Sequence, residues 1–562
     1  MTLTFVSSLF GKENCQNIQD LLHDFEIICM NGYVCLYVTQ EYEEILRTWA
    51  NKWSNVKIVN VIQLEETWIY NLCNNSEEEI LLPENRNTEK DTRTYILNGY
   101  TKHELLEDVI EKNPWNTSHF LWLDMHIPQL FKNKVGAGEY IRWFSKSTLS
   151  PSFITFPGCW SKLEKDKVDD ILKGVHWRFC GGFLIGDGET IRNFCSLYKE
   201  KIQEFLKEYK VLIWDFNFWA YMETFCESDK CKMIWYKGDH NDSILNSSAD
   251  IYTRSLNVAE KIEYDYPKIE TYYSMSASYL YWNEKHWLNT RYVNYWIFPN
   301  GNYLFNNRDG RRLIENKNMI SELTGESSLK PVSYREITET IDLPVKKDGI
   351  SVGLEDVRLY ELNGRVKYIA TTTGYSPSGK SRMIIGDYDI ENACINDGRI
   401  ITPPNTDSHC EKNWIPIVRE GQSDTEEDEE LFIYKWFPME IGKVNYDTGE
   451  LVIIHHFPIS LPIFSKVRGS STFQEVEEGL LGVVHFSEDH GPRHYYHMLV
   501  VLDKNTFAVV KYSETFCFEK LGIEFCIGFT MTEDGGRYVF WISRHDRDPI
   551  MMEVNVNEIK WM

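Results

Sequence analysis

The sequence predicts two large units, an α/β domain followed by an all-β domain. Residues 1 to about 250 alternate short apolar runs with helical stretches, as an α/β sheet requires. From about residue 276, strand-like segments recur between Asn-Gly, Asp-Gly and other turn signals, the pattern of a propeller or a large sandwich. The chain has 562 residues, which at about 100–200 residues per domain allows three to five ordinary domains or two large ones.

In the first half, residues 4–6, 34–38 and 56–59 read as strands and 40–52 as a helix. Residues 191–209 carry Ile191, Phe194, Cys195, Leu197, Ile202, Phe205 and Leu206 at a broadly helical period. In the second half the strands read as 293–298, 358–362, 431–436, 451–455, 480–486, 498–502 and 538–543. No tight internal repeat is present, but a propeller needs only the strand pattern. The domains are placed at 1–250 and 281–562, with 251–280 as a linker. The acidic run 424–430 reads as a solvated loop.

Composition narrows the function classes. Lys and Arg number 59 against 84 Asp and Glu, a net charge of −25. That balance disfavours nucleic acid, whose phosphates call for a basic surface. Hydrophobic residues make up 43% of the chain, enough for ordinary cores. Aromatic residues reach 14%, with 18 Trp, 32 Tyr and 29 Phe, a supply of flat faces for sugar rings as well as for cores. No apolar run reaches the roughly 18 residues of a spanning helix. The N-terminal stretch lacks a basic n-region and a long apolar segment, so it reads as a first strand rather than a signal peptide. The 13 cysteines include no C-x-x-C pair, which predicts reduced thiols, a cytoplasmic setting and no thiolate zinc site.

The first chemical signal is His119-Phe120-Leu121-Trp122-Leu123-Asp124. A buried strand ending in a carboxylate delivers it to the ligand-binding edge of an open α/β sheet, where one Asp can hold a hard divalent cation against a diphosphate. Gly181 and Gly182 precede an apolar run and permit close backbone approach. Asp215 and Asn217 lie among aromatics in Trp214-Asp215-Phe216-Asn217-Phe218-Trp219. Lys237 and His240 follow in Trp235-Tyr236-Lys237-Gly238-Asp239-His240, with Lys237 a candidate phosphate contact and His240 a candidate metal ligand. Singly, each also has an ordinary reading as a turn or as packing.

Taken in order, T-F-V-S-S-L-F, F-L-W-L-D, G-G-F, W-D-F-N-F-W and W-Y-x-G-D-H make residues 3–245 resemble the bacterial HtrL/YibB-like group, treated as GT-A glycosyltransferases. The resemblance implies a UDP- or GDP-sugar donor, a Mn²⁺ or Mg²⁺ ion, and transfer to a glycan or glycoconjugate acceptor. It implies Asp124 as the metal-binding acid, His240 as a second ligand, and Asp215 as the carboxylate that orients or deprotonates the acceptor. Leu123-Asp124-Met125-His126 stands where a full D-x-D is usual.

In the second half, Gly353-Leu354-Glu355-Asp356-Val357-Arg358 opens a strand. Its acids can accept bonds from vicinal hydroxyls, and Arg358 can hold a carboxylate or phosphate. An ion pair tying blades together is the competing reading. The clusters at 411–414, 468–471, 493–497, 522–526 and 544–548 lie near other strand ends, which converge in a propeller. G-x-E-D-V-R resembles the motif of the β-mannoside phosphorylase and hydrolase family, a five-bladed β-propeller, with Val357 where that family has Pro. Over residues 285–555 the resemblance implies Asp356 as general acid and Asp548 as a sugar ligand. Glu355, Arg358, Arg468, His485, Arg493, His497 and Glu524 are the further sugar or phosphate contacts expected there. The expected protein is a GT-A-like glycosyltransferase joined to a glycan-binding or glycan-processing propeller. A chain active only in the propeller, and a non-enzymatic glycan binder, are the alternatives.

Overall fold

The computed structural model describes residues 2–10, 18–76, 79–226, 232–307, 310, 312–325, 329–346, 349–419 and 428–562. The chain divides into two compact units, Met1–Tyr252 and Thr253–Met562.

The first unit is built on a seven-stranded sheet. Its strands are β1 (Leu3–Leu9), β2 (Tyr33–Val38), β3 (Val56–Val61), β4 (His119–Leu123), β5 (Ile154–Gly158), β6 (Phe183–Asp187) and β7 (Met233–Lys237). They lie in the order β3-β2-β1-β4-β6-β5-β7, all parallel except β6. The central strands are mostly apolar, as strands covered on both faces are, and every residue of β4 is buried. The helices Arg93–Lys112, Gly188–Tyr209 and Asp215–Phe225 supply much of the core, with Leu106, Val109, Phe194 and Trp219 fully or almost fully buried. Asp187 caps the Gly188–Tyr209 helix by accepting from the backbone N–H of Glu189 and Thr190. After β3 the chain crosses back over β1 to β4, so the order reverses between β1 and β4. Ligands bind outside the carboxyl ends of strands at such a switch point.

The second unit is built on five larger, mainly antiparallel sheets, with two further two-stranded pairs. Blade 1 holds Tyr273–Trp282, Lys285–Val293, Ile314–Thr324 and Lys330–Glu336. Blade 2 holds Glu355–Leu362, Arg365–Thr372, Arg382–Asp387 and Arg399–Ile400. Blade 3 holds Ile415–Arg419, Glu429–Trp436, Met439–Asn445 and Glu450–Phe457. Blade 4 is built on Gly479–Asp489 and Arg493–Leu502, and blade 5 on Glu524–Met531, Arg537–Arg544 and Arg547–Asn555. Each blade touches the next, and blade 5 touches blade 1, so the ring closes.

Two expectations change. The 251–280 segment is not a linker. It contributes β8 (Arg254–Ser255), paired with Phe516–Cys517 of blade 4, and β9 (Glu260–Ile262), paired with Arg547–Asn555 of blade 5. Strands this short have no periodicity of their own; pairing with distant chain decides them. The acidic run is not wholly a loop. Residues 424–427 lie outside the described residues, but Glu429 and Glu430 begin a strand of blade 3. Glu430 is buried because Oε1 accepts the Tyr360 hydroxyl at 2.6 Å.

Candidate functional site

A cavity of about 620 Å³ opens at the switch point of the first unit. Ser8, Leu9 and Phe10 at the end of β1 line it, with Trp122 and Asp124 at the end of β4. The register explains the placement: Val6 stands opposite Trp122, so both strands deliver their next residues to the same edge. Trp177 and Phe216 stack at 4.5 Å on the lining, an aromatic face suited to a base or a sugar ring.

The lining includes a buried ion pair. Lys102 Nζ stands 2.6 Å from Asp215 Oδ2, with the residues 2% and 5% exposed. The lysine also donates to the Gly181 carbonyl. Asp215 is the first residue of its helix, where the helix dipole favours a negative charge. Room for its carboxylate comes from Gly99: a Cβ there would lie 2.8 Å from Asp215 Oδ1. Burial raises the Asp215 carboxyl, Lys102 opposes the shift, and the neighbouring Asp124 charge adds to it, leaving a net rise.

Asp124 is fixed differently. Its backbone N–H donates to the Gly182 carbonyl at 2.9 Å, and Oδ1 accepts from Trp122 Nε1 at 2.6 Å. A Cβ on Gly182 would come within 3.1 Å of Asp124 Oδ2, so a side chain there would press on the carboxylate. Magnesium-type ions commonly take one or two protein carboxylates and complete their shell with substrate phosphates and water. Asp124 can supply one such oxygen, while the Asp215 charge is committed to Lys102.

The other expected residues separate. His240 lines the same cavity, but its Nδ1 faces Cys180 Sγ at 3.9 Å and Asp239 Oδ1 at 3.6 Å. Among the described residues Asp124 and His240 do not occur together in a group of three or more candidate ligand atoms. Lys237 is exposed at the end of β7 and is not among the residues lining the cavity. Exposed Lys90 and buried Lys102 are the cavity's lysines. Asn217 serves the fold: it donates to the carbonyls of Ile171 and Gly174 and accepts from the His176 N–H. Lys102 escaped the sequence reading, although it sits on the apolar stripe of Leu105, Leu106 and Val109, a position a solvated lysine avoids.

The propeller has its own charged centre. Glu355 and Asp356 open blade 2, and Asp356 takes a positive φ of 54°, a conformation a non-glycine residue adopts only when its surroundings enforce it. Buried Arg291 donates to Asp356 Oδ1 at 2.7 Å and to Asn316 Oδ1 at 2.9 Å, and lies 3.7 Å from Glu355 Oε1. Lys412 Nζ stands 2.6 Å from Glu355 Oε1. Burial alone would raise Asp356, but Arg291, Arg358 and Lys412 outweigh it and hold the carboxyl low. The proton-holding acid here is Asp546. Burial and the nearby Asp356 and Glu355 charges, opposed by Arg291 and the Tyr295 hydroxyl 3.1 Å away, push it up to about 6. Asp356 and Asp546 are thus shifted in opposite directions within one charged cluster.

Several expected sugar contacts are structural instead. Arg358 is fully buried and donates to the Ser470 carbonyl at 2.6 Å, the Asp356 carbonyl at 3.1 Å and Asn413 Oδ1 at 3.0 Å, tying blade 2 to the entries of blades 3 and 4. Glu524 accepts the backbone N–H groups of Phe518, Glu519 and Lys520. His485 is buried with Nδ1 2.9 Å from Ser470 Oγ, and burial pushes its pKa well down. Burial also lowers His497 to about 3. Arg468 and Arg493 are exposed, and Arg493 bonds the Tyr495 side chain. Asp548 has a side chain 56% exposed beside Arg547, at 3.3 Å.

Residues 45–215 match a family model described as a bacterial protein of unknown function, HtrL_YibB. No curated protein matches the chain. Among solved structures the chain is similar to a β-1,2-mannobiose phosphorylase from Listeria innocua in complex with β-1,2-mannobiose, at 12% identity and a TM-score of 0.34 over 52% of this chain and 93% of that one. It is similar to MPT-4, a mannose phosphorylase from Leishmania mexicana in complex with phosphate, at 13% identity and 0.34 over 55% and 92%. A glycosyl hydrolase from Bacteroides ovatus gives 10% identity and 0.32 over 54% and 91%.

Proposed function

We propose that the first unit is a glycosyltransferase taking a nucleotide-sugar donor, and that the propeller handles the glycan. The observation carrying this reading is the pair of carboxylates, Asp124 and Asp215, on one cavity lining at the switch point, with Lys102 bonded to only one of them. Free of that bond, Asp124 is available to a donor diphosphate through a Mn²⁺ or Mg²⁺ ion, which would supply charge neutralisation there. Exposed Lys90 offers a point charge to the same phosphates. Trp177 and Phe216 offer the face on which a base or sugar stacks. Asp215, raised by burial, accepts the proton of the acceptor hydroxyl. The acceptor oxygen then bonds to the anomeric carbon as the bond from that carbon to the phosphate oxygen breaks, releasing the nucleoside diphosphate.

The test is turnover of UDP- and GDP-sugars by the full chain, with and without Mn²⁺, alongside nucleotide-induced thermal shifts. Metal-dependent stabilisation and turnover, both lost in Asp124→Asn with the fold intact, are expected. Absence of both with every nucleotide would overturn the reading.

The second reading places chemistry in the propeller. Asp546, raised, and Asp356, held low, are carboxyls whose surroundings drive their proton affinities apart, as an acid and an ionised partner require. Release of a sugar 1-phosphate from oligosaccharide and inorganic phosphate, lost in Asp546→Asn, is its test. Unchanged release in that variant would sink it.

A further inference from the structure

Past the carboxyl ends of β5 and β7 the first unit gathers a second set of side chains, which shares only His240 with the Asp124–Asp215 lining. The two strands are parallel neighbours with Gly158 opposite Lys237, so Cys159 and the Asp239–His240 pair emerge side by side. The segment 177–180 folds onto them. Cys159 and Trp160 donate their N–H groups to the Trp177 carbonyl at 3.1 and 2.9 Å, and Cys180 donates to the Pro157 carbonyl at 2.8 Å. Gly158 makes this approach possible, since a Cβ there would lie 1.6 Å from the Arg178 carbonyl oxygen. The result places the sulfurs of Cys159 and Cys180 and a ring nitrogen of His240 within 4.8 Å of one another. Cys180 Sγ is 3.9 Å from His240 Nδ1, Cys159 Sγ is 3.3 Å from Asp239 Oδ1, and His240 Nδ1 is 3.6 Å from the same oxygen.

We propose that Cys159, Cys180 and His240 form a zinc site, with Asp239 as the fourth ligand. A tetrahedral zinc with bonds of about 2.3 Å to sulfur and about 2.0 Å to nitrogen spaces its ligand atoms roughly 3.6–3.8 Å apart. Cys159, Cys180 and His240 have their ligand atoms within 4.8 Å of one another and need to contract to reach that spacing, while Asp239, outside that group of three, must swing in to complete the shell. Two thiolates and an imidazole select zinc over the hard ions expected at Asp124. Cys180 is buried while Cys159 is partly exposed, which leaves a route for the ion. The Trp177 ring packs edge-on against His240 at 4.7 Å and restricts the imidazole. The absence of a C-x-x-C motif does not bear on such a site, because β5, β7 and the 177–180 segment bring its ligands from three places in the sequence. Zinc there fastens Trp177, Gly181 and Gly182, all on the cavity lining, to the ends of β5 and β7.

The test uses the full chain, reduced, stripped of metal and titrated with Co²⁺. The expected result is one equivalent bound, with the thiolate-to-cobalt charge-transfer band and visible bands of a tetrahedral centre, bleached by Zn²⁺. Cys159→Ser and Cys180→Ser should each remove or sharply reduce the charge-transfer band. His240→Ala should weaken Zn²⁺ binding at least about 10-fold. Cys410→Ser, an exposed cysteine elsewhere, should change nothing. Circular dichroism reports folding, and if Cys180→Ser does not fold, the partly exposed Cys159 decides. No band, a band that persists in Cys159→Ser, or a Cys159–Cys180 disulfide that re-forms in place of metal binding would overturn the proposal.

Discussion

Lys102 and Asp215 form an ion pair of 2.6 Å in which neither residue is more than a few per cent exposed. A buried pair of this kind contributes little net stability, but removing one partner strands the other. Lys102→Met should lower stability by about 3–5 kcal/mol in chemical denaturation. The double variant Lys102→Met with Asp215→Leu should recover most of that loss while remaining inactive in transfer. Recovery of activity would show that the pair serves packing alone.

Gly182→Ala tests the placement of Asp124 without removing it. The new methyl would lie 2.8 Å from Ile127 Cδ1 and 3.1 Å from Asp124 Oδ2. Overpacking of this size costs about 1–3 kcal/mol. The variant should fold, yet lose metal-dependent stabilisation by nucleoside diphosphates in a thermal-shift assay.

In the propeller, Arg291→Met leaves Asp356 and Glu355 without their buried guanidinium. A loss of about 3–5 kcal/mol is expected. Adding Asp356→Asn should restore part of it, because the stranded charge is gone. A double-mutant cycle on denaturation midpoints measures this coupling.

Asp546 predicts a pH dependence of defined sign. Its folded pKa of about 6 lies above the ordinary Asp value, so the native state holds more protons between about pH 4 and pH 6. Its contribution to stability is therefore complete below about pH 4 and falls away as the pH rises through about 6. Asp546→Asn should be more stable than the parent at pH 7, and the gap should close toward pH 4. A constant gap across that range would contradict the assignment.

How much of this was legible in the sequence depended on whether local pattern or distant pairing decided the outcome. Asp124 was legible because an apolar strand ending in an acid needs only neighbouring residues to declare itself. The strand pattern of the second half was legible for the same reason. Asp546 and Asp548 are two residues apart on one hairpin, and only the turn geometry half-buries the first and exposes the second. Arg291 lies in a strand whose partner acids come more than sixty positions later, so its pairing left no local trace. Lys102 had a local signal, its place on an apolar helix stripe, but charge alone suggested solvent. The Cys159–Cys180–His240 group was hidden because β5 and β7 are parallel, and parallel neighbours keep their ends far apart in sequence.

The strands β8 and β9 give the ring a timetable. They are made first, and their partners in blades 4 and 5 are made last. At about 5–20 residues per second, the interval between Ile262 and Arg547 lasts roughly 15–60 s. Throughout it, β9 has no neighbour to satisfy its backbone, which is the state in which strands recruit the wrong partner. Arg254, Glu260 and Lys261 place charges on these waiting segments, and charge discourages such pairing. Charge on a segment that reads as a linker thus disfavours mispairing in the interval before the strands of blades 4 and 5 are made.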